Sequence, residues 1–471
     1  MLEHKLKLTY YFSLLILLIN LSCKGQQKNN PELSIDGKWQ VKLHSRDIGT
    51  VNTILHFETP NDSTFIAWTR KGADRNILGY WKSSLARMFT KDFKNGSLIR
   101  VTDGLMNQEN DTLYLAGVFR SAMGNYYFNG TIVDNKIEAV LRNSKKEERG
   151  KITGFKNDSL DYPLEDYELV VGEALEKTKD KIYNRKELQS KEWKTFERKI
   201  TKKSSKFKDD LELTFGYYYL STDLPFSHYA LTKVEETSNN IEKNTSEEHL
   251  FLDDKGNDIG LLTIKSFSGN AKEVDEMFDE ILDRNYKHLI VDLRGNSGGT
   301  VEAGMAFARR VVDTTLTGGY FLTQKWFNQY DNLPNKRQLS GIPVFSEANY
   351  DLIIEGIHEE VGLVLEVKPK NPIYKGDLYV VTNNKTASTC EPIVYGLKSV
   401  NRAEIIGKTT AGAMLNGERF DLNNGFSLYV PTADYYTLDG FRIDQNGVEP
   451  TIFIENENPI DYIVDKINTN N

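Results

Sequence analysis

Cysteine is almost missing from this chain: Cys23 and Cys390 are the only two in 471 residues. With so few, no disulfide framework can carry the fold, which must rest on its apolar cores. Histidine is sparse as well, and seven scattered residues plus two cysteines offer no zinc-ligand spacing. Charge of one sign never accumulates. Lys and Arg number 59 against 67 Asp and Glu, a net charge of -8, and no basic block is long enough to follow a phosphate backbone, so nucleic acid is not an expected partner. The Lys-rich stretch 199–208, with Glu and Asp nearby, reads as a solvated helix face. Long apolar runs are missing too, since the one at residues 10–19 is too short for a membrane span. What is present is 39% hydrophobic and 11% aromatic residues, enough for real cores, in a length that calls for two or three domains.

The first two dozen residues stand apart. Lys5 and Lys7 precede the apolar run, which ends in Asn20-Leu21-Ser22-Cys23, so residues 1–22 read as a signal peptide. A small residue followed by Cys resembles the lipobox of bacterial lipoproteins, although Asn20 replaces its usual aliphatic residue. That resemblance implies an acylated Cys23, an exported protein anchored to a membrane of the cell envelope, and no disulfide within the chain. The polar residues 23–34 then form a tether, because they hold nothing to bury.

From 35 to 157 short runs alternate with period two between Gly, Asn and Asp turns, which predicts an antiparallel β barrel or sandwich. Asp36-Gly37-Lys38-Trp39 resembles the opening of lipocalin-like barrels, but a packing Trp in any β domain gives the same text. Residues 158–220 change period, with apolar residues three or four apart (Trp193, Phe196, Ile200), and predict a connector of two or three amphipathic helices. Residues 221–471 read as a third unit. After a polar hinge at 235–248, strand, helix, strand and Gly-rich turn alternate, which makes the core α/β. The turn Arg294-Gly295-Asn296-Ser297-Gly298-Gly299 lacks both G-x-G-x-x-G and the phosphate-loop Lys, and therefore is not a nucleotide site.

The stretch with most chemistry is Lys385-Thr386-Ala387-Ser388-Thr389-Cys390-Glu391-Pro392, which follows a buried strand at 377–381 and precedes a helix. Ser388 sits at the strand's carboxyl end, with the helix amides pointing at it, where a developing negative charge is stabilised. Thr386 or Ser388 acting only as a helix cap fits the same residues. Cys390 reads as a small buried side chain, and His228, taken alone, as an ordinary half-buried histidine.

Four phrases in order resemble one family, the serine peptidases that include the tail-specific, carboxyl-terminal-processing proteases and the tricorn protease core. They are Leu224-Pro225-Phe226-Ser227-His228-Tyr229, residues 290–299, Thr386 to Glu391 with residues 406–412, and residues 439–450. The resemblance implies a Clp/crotonase-like α/β peptidase core inside a multidomain α+β chain, and it implies Ser388 as nucleophile. Tail-specific members use a Lys base where this chain has Ala413, and Lys408 is displaced from that place. The Ser227-His228 pair matches the tricorn-like branch, which implies His228 as base, Ser227 beside it, and Asp444 as the orienting acid, with Glu449 the alternative. The oxyanion donors implied are the amides of Gly298 or Gly299 and of Thr389.

The expected function is therefore hydrolysis of a peptide or protein substrate, with no metal or organic cofactor. The rival expectation is a non-catalytic protein on the same fold that binds a peptide or apolar ligand. The irregular text at 318–372, rich in aromatics, reads as a lid, a substrate wall or a structural cover, and Tyr435 and Tyr436 as a border of the cleft.

Overall fold

The computed structural model describes residues 34–45, 49–89, 95–121, 124–233, 249–347 and 349–470. The signal-peptide and acylation readings at 1–23, most of the tether and the hinge at 235–248 lie outside the described residues. Among those residues no helix is long and apolar enough to cross a membrane.

The N-terminal unit is a closed barrel rather than a sandwich. Its strands are β1 (Gly37–Ser45), β2 (Gly49–Asn61), β3 (Thr64–Trp68), β4 (Ile99–Glu109), β5 (Thr112–Ser121), β6 (Gly124–Val133), β7 (Lys136–Arg142) and β8 (Glu148–Lys156). Each pairs antiparallel with its neighbour, and β1 pairs with both β2 and β8, which closes the ring. Period-two alternation sends Trp39, Val41 and Leu43 of β1 inward. The lumen is filled by a run of rings, Trp39 to Phe57 at 5.7 Å, Phe57 to Phe65 at 5.7 Å and Phe65 to Phe128 at 6.1 Å. Trp39 is thus a packing residue, and its indole N–H donates to Ile35 O at 2.8 Å.

The uninterrupted β text expected here is broken once, by helices α1 (Ala73–Leu78) and α2 (Tyr80–Phe89). Residues 73–89 lack period two and are rich in Ala, Leu, Arg and Met, all good helix formers. Gly72 and Gly79, at φ 80° and 82°, bracket the first helix in a conformation that suits glycine.

The connector holds α3 (Tyr167–Lys181), α4 (Lys191–Ser204) and α5 (Asp210–Ser221), each started by a side chain that accepts from the first-turn amides: Asp166, Ser190 and Asp209. The buried Trp193, Phe196 and Ile200 of α4 lie on one face. They join an apolar cluster that contains barrel residues, Phe226, Tyr229 and residues of the last long strand. The units therefore share a core instead of folding apart.

In the C-terminal unit, β9 (Ala230–Lys233), β10 (Leu250–Asp254), β11 (Ile259–Ile264), α6 (Ala271–Asp283), β12 (His288–Asp292) and α7 (Val301–Arg309) come first. The segment expected to be irregular is folded instead. It runs through β13 (Leu316–Thr323), α8 (Gln324–Gln329), α9 (Lys336–Leu339), β14 (Val344–Phe345), α10 (Tyr350–Glu359) and β15 (Gly362–Val367). Tyr320, Leu322, Trp326, Ile342 and Val364 bury one another there, so its aromatics make a small core of their own. Then follow β16 (Asp377–Thr382), α11 (Cys390–Ser399), β17 (Glu404–Gly407), β18 (Leu415–Asp421), β19 (Phe426–Tyr436), β20 (Ile452–Phe453) and α12 (Pro459–Asn470).

Among the described residues these strands form two sheets. The six-stranded one has the order β10-β11-β12-β16-β17-β20, parallel from β11 onward. Helices α6, α7 and α11 cover one face and α12 the other. The larger sheet joins barrel to core, because β9 meets β2 at Gly49 and Lys233 and pairs along β19. Tyr435 of β19 is fully buried against Phe321, so it does not border a cleft. Tyr436 stacks on Tyr320 and donates its hydroxyl to Asp434 at 2.8 Å.

Candidate active site

Three loops leave the carboxyl ends of the adjacent parallel strands β12, β16 and β17, and they meet at Ser388. The loop after β16 is stitched to its neighbour: Thr386 Oγ1 donates to Leu293 O at 2.8 Å and Ala387 N to Asn296 O at 3.0 Å. Ser388 itself has φ 55°, a left-handed conformation that costs about 1–2 kcal/mol for a residue with a Cβ. The strain is held by α11, where Cys390 N donates to Ala387 O at 3.2 Å and Glu391 N to Ser388 O at 2.8 Å.

Glu391 organises this turn, a role the sequence reading did not assign. Its buried carboxylate accepts from Ser388 N at 3.0 Å, Thr410 Oγ1 at 2.7 Å, Gly412 N at 2.7 Å and Ala413 N at 2.9 Å. Burial raises its pKa while those four donors oppose the shift. The signal was available: an acid three residues after the N-terminal residue of a helix reaches back to that residue's amide.

Gly298 of the β12 loop lies directly against Ser388. A Cβ on Gly298, at φ 101°, would sit 2.7 Å from Ser388 Cβ and 3.1 Å from Thr389 N. The Gly298 amide already donates to Asn296 Oδ1 at 2.9 Å, which takes it out of the set of oxyanion donors expected from sequence. Gly299 differs. Phe267 N bonds Gly298 O and Thr300 N bonds Phe267 O, so the backbone of Gly299 faces the other way. Its carbonyl accepts Thr389 Oγ1 at 2.9 Å, on the side of the Ser388 turn.

The histidine arrives from the opposite direction. Its loop is pinned by α4, with Trp193 ring centroid 6.3 Å from Phe226 and 5.8 Å from Tyr229. Tyr229 is further held by Thr178 Oγ1 at 2.8 Å and Tyr217 Oη at 2.5 Å. Between these anchors Ser227 Oγ donates to Asp444 Oδ1 at 2.5 Å and lies 2.7 Å from His228 Nδ1. A hydroxyl has one proton, and the carboxylate takes it; Nδ1 therefore carries the hydrogen, and Nε2 keeps its lone pair. Burial lowers the His228 pKa, and Asp444 only partly opposes this.

Asp444 is fully buried and also accepts from Ser227 N at 3.3 Å and Met414 N at 3.1 Å. Arg442 lies 3.5 Å from it and donates to Asp434 at 2.9 Å and to Tyr183 Oη at 2.8 Å. Burial opposes the charge on Arg442, yet Asp434 beside it holds the guanidinium pKa above its usual value. Burial pushes Asp434 up to about 7 in spite of that arginine. Glu449, the alternative acid, is exposed, and Lys398 binds its backbone carbonyl.

One turn ties the halves together. Gly412 and Ala413 donate to Glu391, which holds Ser388, and the next residue, Met414, donates to Asp444, which holds Ser227. Among the described residues neither Ser388 Oγ nor His228 Nε2 has a hydrogen-bond partner. Ala413, which the resemblance sets at the place of a dyad lysine, gives its amide to Glu391, while the Lys408 amide, just past β17, bonds Thr382 O at the end of β16. Cys390 is buried against Asn296 O at 3.7 Å, and burial pushes its thiol up to about 12, so at neutral pH it is no nucleophile.

A serine on a strained strand-to-helix turn, facing a glycine loop at the carboxyl edge of a parallel sheet, defines the class as an α/β serine-peptidase fold. The family model of peptidase family S41 matches residues 258–454, which hold most of the C-terminal unit. The match contains Gly299, Ser388, Glu391 and Asp444 and begins after Ser227 and His228. The carboxyl-terminal-processing protease of Picosynechococcus sp. is 27% identical over 213 residues, 45% of this chain and 42% of that one. The carboxy-terminal processing protease CtpA of Bacillus subtilis is 26% identical over 209 residues, 44% and 37%. A lipoprotein structure from Streptococcus agalactiae superposes with a TM-score of 0.45 at 17% identity, covering 66% of this chain and 99% of that one. This chain thus covers less than half of the length of the curated relatives it matches.

Proposed function

We propose that this protein is an exported, lipid-anchored serine peptidase that cuts peptide or protein substrates with a Ser388–His228 couple supported by Ser227 and Asp444. The observation that carries the reading is the relay from Asp444 through the Ser227 hydroxyl to His228 Nδ1, which leaves Nε2 as the basic atom. Ser388 Oγ attacks the scissile carbonyl while His228 Nε2 takes its proton, and the charge that forms on the imidazolium is balanced by Asp444 through Ser227. The amides of Thr389 and Gly299 receive the oxyanion, each contribution being of the order of 3 kcal/mol. The tetrahedral intermediate then collapses, the C–N bond breaks, and Nε2–H protonates the leaving amine. Water, deprotonated by the same nitrogen, hydrolyses the ester at Ser388 and regenerates the hydroxyl.

His228 replaces the lysine base of tail-specific members at low energetic cost. An imidazole titrates near neutral pH without the desolvation an ammonium base requires. Cys23 supplies the anchor, and peptide or protein is the partner class.

The test is hydrolysis of fluorogenic peptides by the wild type, Ser388→Ala and His228→Ala. Turnover in the wild type alone supports the reading. A folded wild type that binds such peptides without cleaving them favours the ligand-binding alternative.

A further inference from the structure

Helix α2 is turned inside out. Its inward side is polar, with Ser83 buried and Arg87 bonded to the buried Asp74 at 2.8 Å. Its outward side is apolar: Tyr80 is 63% exposed, Trp81 79%, Leu85 52% and Met88 72%. At 100° per residue, Trp81, Leu85 and Met88 fall within an arc of about 60°, and the Tyr80 ring meets Trp81 edge-on at 5.9 Å. A monomer in water gains nothing from such a face.

Cations are also dense beside the helix. Arg70 is paired with the buried Glu212 and Arg87 with Asp74, which leaves Lys71, Arg75 and Lys82 as exposed cations in a chain whose net charge is -8. Lys71 lies 4.5 Å over the half-buried Trp68 ring and Arg75 5.3 Å over the exposed ring of Tyr80, so exposed cations sit against aromatics at this edge. Aromatic and aliphatic side chains rimmed by Lys and Arg are the composition of helices that lie in an anionic membrane interface.

The position in the chain agrees. Ser34 is eleven residue steps from Cys23, a leash of about 40 Å at full stretch. Trp68, which leads to the helices, is opposite His56, and His56 is opposite Lys38 at the entry of β1. The two strands are therefore about 10 Å apart. We propose that the Tyr80, Trp81, Leu85 and Met88 face of α2 docks on an anionic lipid bilayer and holds the barrel against the membrane. The proposal rests on the lipid-anchored reading of Cys23.

The experiment uses the chain with Cys23→Ser, which cannot be acylated, and vesicles of phosphatidylcholine with or without phosphatidylglycerol. Sedimentation and the blue shift of Trp emission report binding. The account predicts salt-sensitive binding to the phosphatidylglycerol vesicles that weakens about tenfold or more in the triple variant Trp81→Ser, Leu85→Ser, Met88→Ser. These side chains are exposed, so Tm and peptide hydrolysis should be unchanged. Equal binding by the triple variant, or none by its parent, overturns the proposal. So does a parent that forms dimers which the triple variant dissolves, with no lipid binding, because a second copy then covers the face. Labelled palmitate incorporation into the Cys23 chain is read separately: its absence removes the anchor, while vesicle binding still judges the helix.

Discussion

Ser227 Oγ lies 2.5 Å from Asp444 Oδ1 although 217 positions separate the two residues, and the same oxygen is 2.7 Å from His228 Nδ1. A serine thus stands between acid and histidine. The hydroxyl links Asp444 to the imidazole.

Removing that hydroxyl separates the two groups. Ser227→Ala and Asp444→Asn should each lower kcat/KM by about 10²-fold or more, with KM nearly constant, because the imidazole loses its fixed tautomer while the substrate surface stays. Glu449→Gln, at an exposed position, should leave the rate unchanged. Steady-state kinetics on one peptide checks all three.

The pH profile follows from burial. In the proposed mechanism only neutral His228 accepts the Ser388 proton, so the rate should rise as pH climbs through the His228 pKa. That pKa is lowered by burial, and the acidic limb of kcat/KM should therefore have its midpoint below the ordinary histidine value of 6.5. A lysine base would put that midpoint on the alkaline side of neutrality. Initial rates across the acidic and neutral range distinguish the two.

Gly298→Ala tests the close approach of the β12 loop. The new methyl would stand 2.7 Å from Ser388 Cβ at a φ of 101°. We expect kcat to fall about 10²-fold, with a stability loss of about 1–3 kcal/mol measured by denaturant unfolding.

Much of this was legible in the sequence because it is local or periodic. The barrel strands show period two, α4 shows its Trp193, Phe196 and Ile200 face, and Ser388 lies between a buried strand and a helix. What was not legible depends on distant contacts. Helices α1 and α2 are short and set within β text, and the outer face of α2 is apolar without a core to explain it. Residues 318–372 look irregular because β13 pairs with β19, a hundred residues later, and with β15 across the helices between them. The commitment of the Gly298 amide to Asn296 is a backbone detail that no residue type announces. Glu391, by contrast, carried a readable signal in its three-residue spacing from Ser388.

Cys390 provides a control. Its thiol is buried and protonated at neutral pH, so Cys390→Ala should leave hydrolysis intact and cost about 1 kcal/mol of stability. In the Cys23→Ser chain, thiol reagents should modify Cys390 only after unfolding, as followed by mass spectrometry.

The most direct measurement of the central claim is the mass of the protein after exposure to a fluorophosphonate, with the adduct mapped by peptide sequencing. The account predicts a single adduct on Ser388, none in Ser388→Ala, and formation slowed about 10²-fold in His228→Ala. A folded wild type that stays unmodified, or an adduct whose rate is indifferent to His228, would contradict it.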